Sequence, residues 1–380
     1  YFRHKALFRD IPIRKSYIFY LCSKINRQFM KRYLFFVSLS YAYPILRPIQ
    51  SEIWRRGDDV AWFFTSPCDQ YLQEGEKQLK TIKEVIEYNP IAVFAPGNKV
   101  HDFFPGVKVQ VFHGFSIDKR PGRGDHFRIR GLFDIFCTQG STSTPHFLEL
   151  EKQYRHFKVY ETGWSKTDLF FPLVPKEKNP VPTILYASTF TPGITSTPHL
   201  YDEIARLAKE KNWQWLITFH PKMSPEIVEK YKKLANALDN VSFYEGDNNV
   251  ELLQKADVLL CDSSSIIIEF LFFDKPVVTY KNTSPGNYLI DVDSPKLIEP
   301  AIEKALTRPK ELMDNIRKYT DSHQPYRDGR CSARILDAVD DFIAKYKGKI
   351  KRKPLNLFRK LQTRWQVKYF PFGPRYTASK

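Results

Sequence analysis

The chain has 380 residues, enough for two domains of ordinary size, and its apolar content of 42% is that of a globular protein rather than a disordered one. Its five cysteines are widely spaced and form no CxxC pair, which argues against a disulfide framework or a zinc site and favours a reducing, cytoplasmic setting. The net charge of +17 is concentrated at the ends, because residues 1–50 hold ten Lys or Arg and one acid, and residues 345–380 hold twelve Lys or Arg and no acid.

The first segment, residues 1–50, mixes basic side chains with Phe, Tyr and Leu. Its longest apolar run, 33–43, stops at Pro44 and is shorter than the ~20 residues that a membrane-spanning helix needs. The composition predicts an interfacial helix with its apolar side in lipid and its cations at anionic headgroups. The alternative is a helix that packs on a domain and exposes a basic face to solvent.

Between the ends, short runs of β-forming residues alternate with helical patterns. The predicted strands are residues 91–95, 107–112, 135–138, 159–162, 184–187, 215–219, 241–244, 258–261 and 277–280. The predicted helices are residues 75–88, 198–211, 225–238, 266–273, 296–307 and 332–346. This alternation predicts an α/β protein with parallel sheets that are covered by helices on both faces.

Residues 170–182 hold four prolines and are predicted to link two domains. On either side lies a doubly wound, Rossmann-like half, predicted at residues 51–172 and 183–344. Two such halves that face one another across a cleft are the architecture of many nucleotide-sugar transferases.

The tail, residues 345–380, repeats the basic and aromatic pattern of the N-terminal segment. The sequence therefore predicts basic amphipathic extensions at both ends, with an anionic membrane surface as their partner. Nucleic acid is the other polyanion that could meet them, but no DNA- or RNA-binding motif accompanies the basic residues, and nucleic acid is not expected as a partner.

Motifs for phosphate loops, dinucleotides and zinc are absent from the sequence. It contains no GxxxxGK[ST], no GxGxxG after a strand and no HExxH. The acidic pairs Asp58-Asp59 and Asp291-Val292-Asp293 lie in predicted loops, where such pairs are more often solvated than metal-binding. Neither a metal nor a cofactor is expected.

Two histidines follow predicted strands. His113 comes directly after residues 107–112 and precedes Gly114, which would let the backbone turn tightly and approach a ligand. In doubly wound folds ligands bind outside the carboxyl ends of the strands, where a neutral imidazole can accept a proton from an attacking hydroxyl. A packed structural histidine is the alternative. His220 repeats the arrangement after residues 215–219, so we expect one histidine from each half to face a shared cleft.

The strongest local signal is Asp262-Ser263-Ser264-Ser265, between a predicted strand and an apolar helix. Serine hydroxyls beside the unpaired N–H groups of a helix start suit a phosphate. The alternative is an ordinary helix cap. Three serines in a row, with no phosphate loop elsewhere, favour a diphosphate site.

In chain order these residues resemble the motifs of the CDP-glycerol glycerophosphotransferases, which build teichoic-acid-like polymers. The resemblance covers about residues 90–340. The segments that carry it are Gln110-Val111-Phe112-His113-Gly114-Phe115, Gly163-Trp164-Ser165-Lys166-Thr167-Asp168, Leu185-Tyr186-Ala187-Ser188-Thr189-Phe190, His220-Pro221, the run from Asp262 through Glu269 to Pro276, and Asp328-Gly329-Arg330-Cys331-Ser332-Ala333-Arg334.

The resemblance implies a GT-B fold and transfer of glycerol phosphate from CDP-glycerol to a hydroxyl of a membrane-linked glycan or polyol-phosphate acceptor, with release of CMP. Such a reaction belongs to the biosynthesis of a cell-surface polymer, a teichoic acid or a capsule. The resemblance assigns the acceptor to residues 51–172 and the nucleotide donor to residues 183–344. The cysteine usage and the basic, aromatic ends predict a cytoplasmic protein that is peripheral on the inner face of the plasma membrane.

The resemblance also implies roles for single residues. His113 is the implied base for the acceptor hydroxyl, and His220 is implied to stabilise the CMP leaving group. No metal is required, since hydrogen-bond donors in a cleft can themselves neutralise developing phosphate charge. The residues implied to bind the donor and its diphosphate are Gly114, Thr189, Ser263, Ser264, Ser265 and Glu269.

This chain departs from the family pattern at several positions. Phe115 stands where the family has threonine, Ser263 where it has tyrosine, Glu269 where it has aspartate, and Ser165 where it has proline. Because Phe115 lies beside the implied base, the acceptor and the transferred group stay open. The alternatives are CDP-ribitol as donor, a GT-B glycosyltransferase or epimerase that uses another nucleotide sugar, and a non-catalytic polymer- or membrane-binding relative.

Overall fold

The protein is built on two parallel β-sheets that are covered by helices. The computed structural model describes residues 30–115, 126–173, 179–220, 222–245 and 250–369. The first sheet has seven strands in the order β3-β2-β1-β4-β5-β6-β7. Its strands are β1 (Arg32–Val37), β2 (Asp59–Phe64), β3 (Lys77–Gln78), β4 (Ala92–Ala95), β5 (Val107–Gln110), β6 (Ile135–Thr138) and β7 (Lys158–Glu161). The helices between them are α1 (Tyr43–Arg55), α2 (Ile82–Tyr88) and α3 (Thr144–Tyr154).

The second sheet has six strands in the order β10-β9-β8-β11-β12-β13. Its strands are β8 (Thr183–Ser188), β9 (Gln214–Phe219), β10 (Val241–Tyr244), β11 (Val258–Cys261), β12 (Val277–Tyr280) and β13 (Ile290–Val292). The helices of this part are α4 (Thr197–Glu210), α5 (Pro225–Ala237), α6 (Val250–Lys255), α7 (Ile266–Leu271), α8 (Ile298–Leu306) and α9 (Lys310–His323). The predicted α/β architecture with two doubly wound halves is confirmed.

In each domain the strand order changes direction at the first strand, which is β1 in the first sheet and β8 in the second. The chain moves outward from β1 through β2 to β3, then returns to place β4 on the other side of β1. In the second half β9 and β10 lie on one side of β8 and β11 lies on the other. The crevice at the carboxyl ends of such a strand pair is where open α/β sheets bind ligands. The candidate site is therefore expected beyond β1 and β4 and beyond β8 and β11.

The assignment of residues 1–50 to a membrane-surface helix is wrong for the described part of that segment. Residues 33–37 form most of β1, a central strand whose Tyr33, Leu34 and Phe35 have no exposed surface. A parallel strand that is covered on both faces is apolar throughout, and such a run cannot be told from a short buried helix by its pattern alone. Residues 1–29 lie outside the described residues.

The boundary predicted at residue 344 is also wrong, because the chain returns to the first half before it. Helix α10 (Cys331–Lys345) packs Ile335, Leu336, Val339 and Phe342 into the core of the first sheet. Its polar side is joined to the same half, where Lys31 Nζ lies 2.7 Å from Asp340 and Tyr160 donates to Asp341 at 2.8 Å. The C-terminal helix therefore belongs to the N-terminal domain.

Beyond α10, the tail contains α11 (Leu357–Gln366), which lies on the surface of the first domain. Residues 370–380 are outside the described residues. Among the helices of the described ranges, none is both long enough and apolar enough to cross a bilayer.

Asp168 fixes the start of α10. Its carboxylate accepts hydrogen bonds from the backbone N–H groups of Cys331 at 2.8 Å and Ser332 at 2.7 Å. We expect Asp168→Ala to lower the free energy of unfolding of the first domain by about 1–2 kcal/mol, since the two N–H groups lose their acceptor. Urea unfolding followed by circular dichroism measures this change. The exposed Asp239 serves as the control, and equal midpoints for Asp168→Ala and Asp239→Ala would refute the role.

Candidate functional site

The chain leaves β5 through a strained residue. The predicted strand 107–112 ends at Gln110, and Phe112 has a left-handed φ of 52°, which is rare for a bulky side chain. The indole Nε1 of Trp164 donates to the carbonyl of Phe112 at 3.3 Å and helps to hold this conformation. The prediction that Gly114 makes the turn is wrong: Gly114 has no positive φ, and a Cβ there would meet no atom within 4 Å.

The strained exit turns His113 towards the switch point of the first sheet. His113 is exposed, and its Nδ1 lies 3.4 Å from the carbonyl oxygen of Pro96, which follows β4. The ring of Tyr41, which follows β1, lies 5.1 Å from the imidazole, and burial raises the pKa of Tyr41. When Nδ1 carries the proton, Nε2 carries the lone pair that a base needs.

A second histidine, which the sequence analysis missed, lies close to His113. The ring of His126 stacks on Phe112 at 5.3 Å. Burial, with a smaller contribution from the charge of His113, lowers the pKa of His126 to about 4. The Nε2 atom of His126 is buried with no hydrogen-bond partner among the described residues. No strand end or motif marks His126 in the sequence.

In the second domain, Asp262 joins the two loops of the switch point. Its buried carboxylate accepts from Thr189 N at 2.9 Å and from Ser263 N at 2.7 Å, so one side chain positions two of the predicted donor-binding residues. Ser196 donates to it through both its N–H and its hydroxyl, each at 3.0 Å, and the hydroxyl of Ser188 donates as well. Asp262 is therefore a positioning residue. It belongs to the motif Asp262-Ser263-Ser264-Ser265, but the sequence analysis assigns only the three serines to the site.

A ring contact joins the loop after β8 to His220. Phe190 follows Thr189 and packs its ring 4.5 Å from the imidazole of His220. The Nδ1 atom of His220 accepts from Lys222 N at 3.0 Å, so in the neutral ring Nε2 carries the proton. His220 is exposed and can donate this hydrogen bond to an oxygen in the cleft.

The three serines line a cavity of about 130 Å³. Ser263, Ser264 and Ser265 form one part of its wall, and the turn after β12 supplies the rest of the polar lining. That turn is held in place because Thr283 N donates to Ser263 Oγ at 2.9 Å and Asn282 Nδ2 donates to the Asp262 carbonyl at 2.6 Å. Helix α7 has six residues rather than the eight predicted, so the site relies on hydroxyls and turn N–H groups more than on a helix dipole.

Another part of the cavity wall is aromatic and includes a residue of the first domain. Tyr288, Tyr319 and His323 lie side by side, with ring centres 3.7 Å and 4.3 Å apart. Phe115 completes the wall from the other domain and lies 5.9 Å from His323. Because Phe115 is two residues beyond His113, their Cα atoms are at most about 7 Å apart. The residue that departs from the family pattern thus faces the cavity.

Glu269 has a different environment from the one predicted. Its carboxylate lies 2.6 Å from Lys166 Nζ of the first domain, and both side chains are largely buried. Glu269 therefore forms an interdomain ion pair beside the cavity. Within the described part of the chain, the cavity wall contains the three serines but not His113, Gly114, Thr189, His220 or Glu269. Nor do those described residues include a cluster of three His, Cys, Asp or Glu side chains that could hold a metal.

Comparison with known proteins identifies the fold. A putative UDP-N-acetylglucosamine 2-epimerase from Listeria monocytogenes superposes with a TM-score of 0.57 at 15% identity, over 83% of this chain and 97% of that one. The wall teichoic acid polymerase TagF superposes with a TM-score of 0.57 at 14% identity, over 82% of this chain and 89% of that one. The fold is GT-B-like. At these identities the likeness establishes the fold alone.

Sequence matches are shorter. The family model of UDP-N-acetylglucosamine 2-epimerase matches residues 195–340. A probable UDP-N-acetylglucosamine 2-epimerase of Ralstonia nicotianae is 25% identical over 134 residues, 34% of this chain. The teichoic acid ribitol-phosphate polymerase TarL of Staphylococcus aureus is 24% identical over 219 residues, 47% of this chain. Each match spans 36% of the relative's own length. In sequence the chain is therefore similar to both groups of proteins.

The buried His126 makes stability depend on pH. An unfolded histidine has a pKa of about 6.5, so between pH 6.5 and about 4 the unfolded chain binds a proton that folded His126 does not. The free energy of unfolding should therefore fall as the pH falls through this range, by at most about 1.4 kcal/mol per pH unit for this group. His126→Phe keeps a ring on Phe112 and should make the dependence shallower.

Urea unfolding at a series of pH values measures this slope. His101, whose pKa burial also lowers to about 4, keeps part of the dependence in the single variant, and His101→Phe with His126→Phe should remove more. If the pH dependence of the free energy of unfolding is the same in His126→Phe as in the wild type, the His126 imidazole is solvated in the folded protein and the prediction is wrong.

Proposed function

We propose that the protein transfers a polyol phosphate, glycerol phosphate in the first instance, from a CDP-polyol donor to an acceptor hydroxyl, with release of CMP. The observation that carries the proposal is the hydroxyl-lined cavity at the switch point of the second sheet, whose aromatic wall includes Phe115, two residues beyond His113. A donor diphosphate in this cavity would place its phosphorus near a base from the opposite domain.

The proposed reaction is a displacement at phosphorus. The acceptor oxygen forms a bond to the β-phosphorus, the bond from that phosphorus to the bridging oxygen breaks, and CMP leaves with the electron pair. The acceptor proton passes to Nε2 of His113. Little covalent chemistry is asked of the protein in such a transfer, which depends on positioning and electrostatic stabilisation.

Hydroxyl and imidazole donors are proposed to stabilise the charge that develops on the phosphates. Ser264 and Ser265 line the cavity, and Thr189 is held beside it by Asp262. His220, with its proton on Nε2, is proposed to donate to the leaving CMP. Preorganised donors of this kind act without reorganisation when the charge appears.

The identity of the polyol is the finer part of the proposal. TarL, a ribitol-phosphate polymerase, matches this chain over 219 residues, whereas the epimerases match it over 134 to 151 residues. This supports a polyol-phosphate transfer and makes CDP-ribitol the second donor to test. Phe115 in the cavity wall is the position at which donor or acceptor selection would differ from the family pattern.

An epimerase that acts on a UDP-sugar is the second candidate function, and the family model over residues 195–340 favours it. That match covers the half that would bind a nucleotide in either class of enzyme. The motifs that resemble the glycerophosphotransferases include both halves, with His113 in the first. The transferase is therefore the stronger proposal.

We further propose that the acceptor is a membrane-linked glycan or polyol phosphate and that the protein is peripheral on the inner face of the plasma membrane. The support is the basic and aromatic composition of residues 345–380, which hold twelve Lys or Arg and no acid. Such segments are attracted to anionic headgroups.

The donor is tested with purified protein and a panel of CDP-glycerol, CDP-ribitol and UDP-N-acetylglucosamine, each with a soluble polyol-phosphate acceptor. We expect CMP release from a CDP-polyol. His113→Ala should lower kcat by about 10²-fold or more, the usual contribution of a positioned general base, and His220→Ala should lower it as well. His146→Ala, a change at an exposed histidine of α3, is the matched control.

The outcomes separate the candidates. Interconversion of the UDP-sugar without acceptor would establish the epimerase and reject the transferase. If His113→Ala and His220→Ala both release CMP as fast as His146→Ala, the assignment of the two histidines is wrong.

A further inference from the structure

Helix α11 has two chemically different faces. Leu357, Phe358, Leu361 and Trp365 recur at helical spacing along one side and are 61%, 93%, 58% and 76% exposed. Leu355, just before the helix, is 72% exposed. The side chains on the other side, in contrast, are bound to the first domain.

The polar face is held by specific contacts. Arg364 forms a bidentate ion pair with Asp102, at 3.0 Å and 3.1 Å, and both side chains are largely buried. Arg359 Nη1 and Asn356 Nδ2 both donate to the carbonyl of Arg130, at 2.8 Å and 3.0 Å. The helix is therefore fixed in orientation, and its apolar face points away from the domain.

The segment that precedes α11 is also held by specific contacts with the first domain. Lys353 Nζ lies 2.7 Å from Asp134. Gly131 has a φ of 66°, and a Cβ there would lie 2.5 Å from Pro354 Cγ, so the segment before α11 packs where only glycine fits. After the helix, Tyr369 stacks on Phe103 at 4.5 Å. Contacts on both sides of α11 show that the docked position is built into the domain.

We propose that the apolar face of α11 is a docking surface for an anionic lipid bilayer. A helix with bulky apolar residues on one side and cations around it lies in the headgroup region with its apolar side buried. Five exposed cations lie in the segments before and after the helix, and they are Lys347, Lys349, Lys351, Arg352 and Lys368. This surface deepens the proposed function, because it would bring the acceptor domain to a membrane-linked acceptor.

Charge favours an anionic bilayer over the other groups that could cover the apolar face of α11, which are the ends of this chain and a second copy of it. Residues 1–29 hold seven Lys or Arg and one acid, and residues 370–380 hold two and no acid. A second copy that met this face through its own α11 would bring the same cations to it. Each of these occupants repels the cations around α11, whereas anionic headgroups attract them.

The test is cosedimentation of the full chain with vesicles, in the absence of donor and acceptor. We expect the protein to pellet with vesicles of ~30% phosphatidylglycerol in phosphatidylcholine, far less with phosphatidylcholine alone, and less as the salt rises from ~0.05 M to ~0.5 M. A triple variant, Phe358→Gln, Leu361→Gln and Trp365→Gln, should weaken the partition at least about tenfold, since three large apolar side chains no longer enter the lipid. Its side chains are exposed, so its thermal midpoint should not change.

The matched control is Trp54→Gln with Leu148→Gln, which alters exposed apolar residues elsewhere on the first domain, 47% and 41% exposed. Equal pelleting of the triple variant and this control would overturn the proposal. A loss of dimer in the triple variant without vesicles would also overturn it, because the face would then bind a second copy. CMP release from the CDP-polyol donor with a soluble acceptor is measured in parallel, so that failure of the surface and failure of the proposed function are distinguished.

Discussion

The candidate site depends on the hydrogen bonds that converge on the carboxylate of Asp262. This buried group lies between β8 and β11, where the winding of the second sheet reverses, and it accepts from the loops after both strands. A buried carboxylate must have such donors, because an unpaired charge in the interior is strongly unfavourable. The same hydrogen bonds fix Thr189 and the first of the three serines relative to one another. The site is thus preorganised by a residue that need not touch a ligand.

The position of the two domains depends on contacts that cross between them. Helix α10 carries the chain back into the core of the first domain, and Lys166 pairs with Glu269 beside the cavity. Phe115 packs against Trp164 of its own domain and Phe272 of the other, at 5.0 Å and 5.4 Å. These contacts bring the exit of β5, with His113, to the aromatic wall of the cavity. A GT-B-like fold can host several chemistries, so the chemistry of this chain depends on the aromatic wall and the serines of the cavity.

The features that the sequence predicted well are those set by local pattern. Strands such as β6, β10, β11 and β12 have the predicted bounds, because short apolar runs between turn residues specify a buried strand. The features that it missed depend on residues far apart in the chain. The cations that flank the apolar run of β1 favour a surface segment over a buried strand, and the left-handed Phe112 is held by Trp164, 52 residues later. Likewise the partner of Glu269, Lys166, is 103 residues away. No local rule predicts such pairings, since the fold alone brings their members together.

The central claim is that the serine-lined cavity binds the phosphates of a nucleotide donor. Isothermal titration of CDP-glycerol into the wild type and into a Ser264→Ala, Ser265→Ala variant tests it most directly. Neither serine hydroxyl is needed for the Asp262 hydrogen bonds, so the variant should fold with the same thermal midpoint. The account predicts that the wild type binds the donor and that the variant binds it at least about tenfold more weakly, the equivalent of about 1.4 kcal/mol or more. Equal affinity in the two proteins would contradict the account and place the donor elsewhere in the cleft.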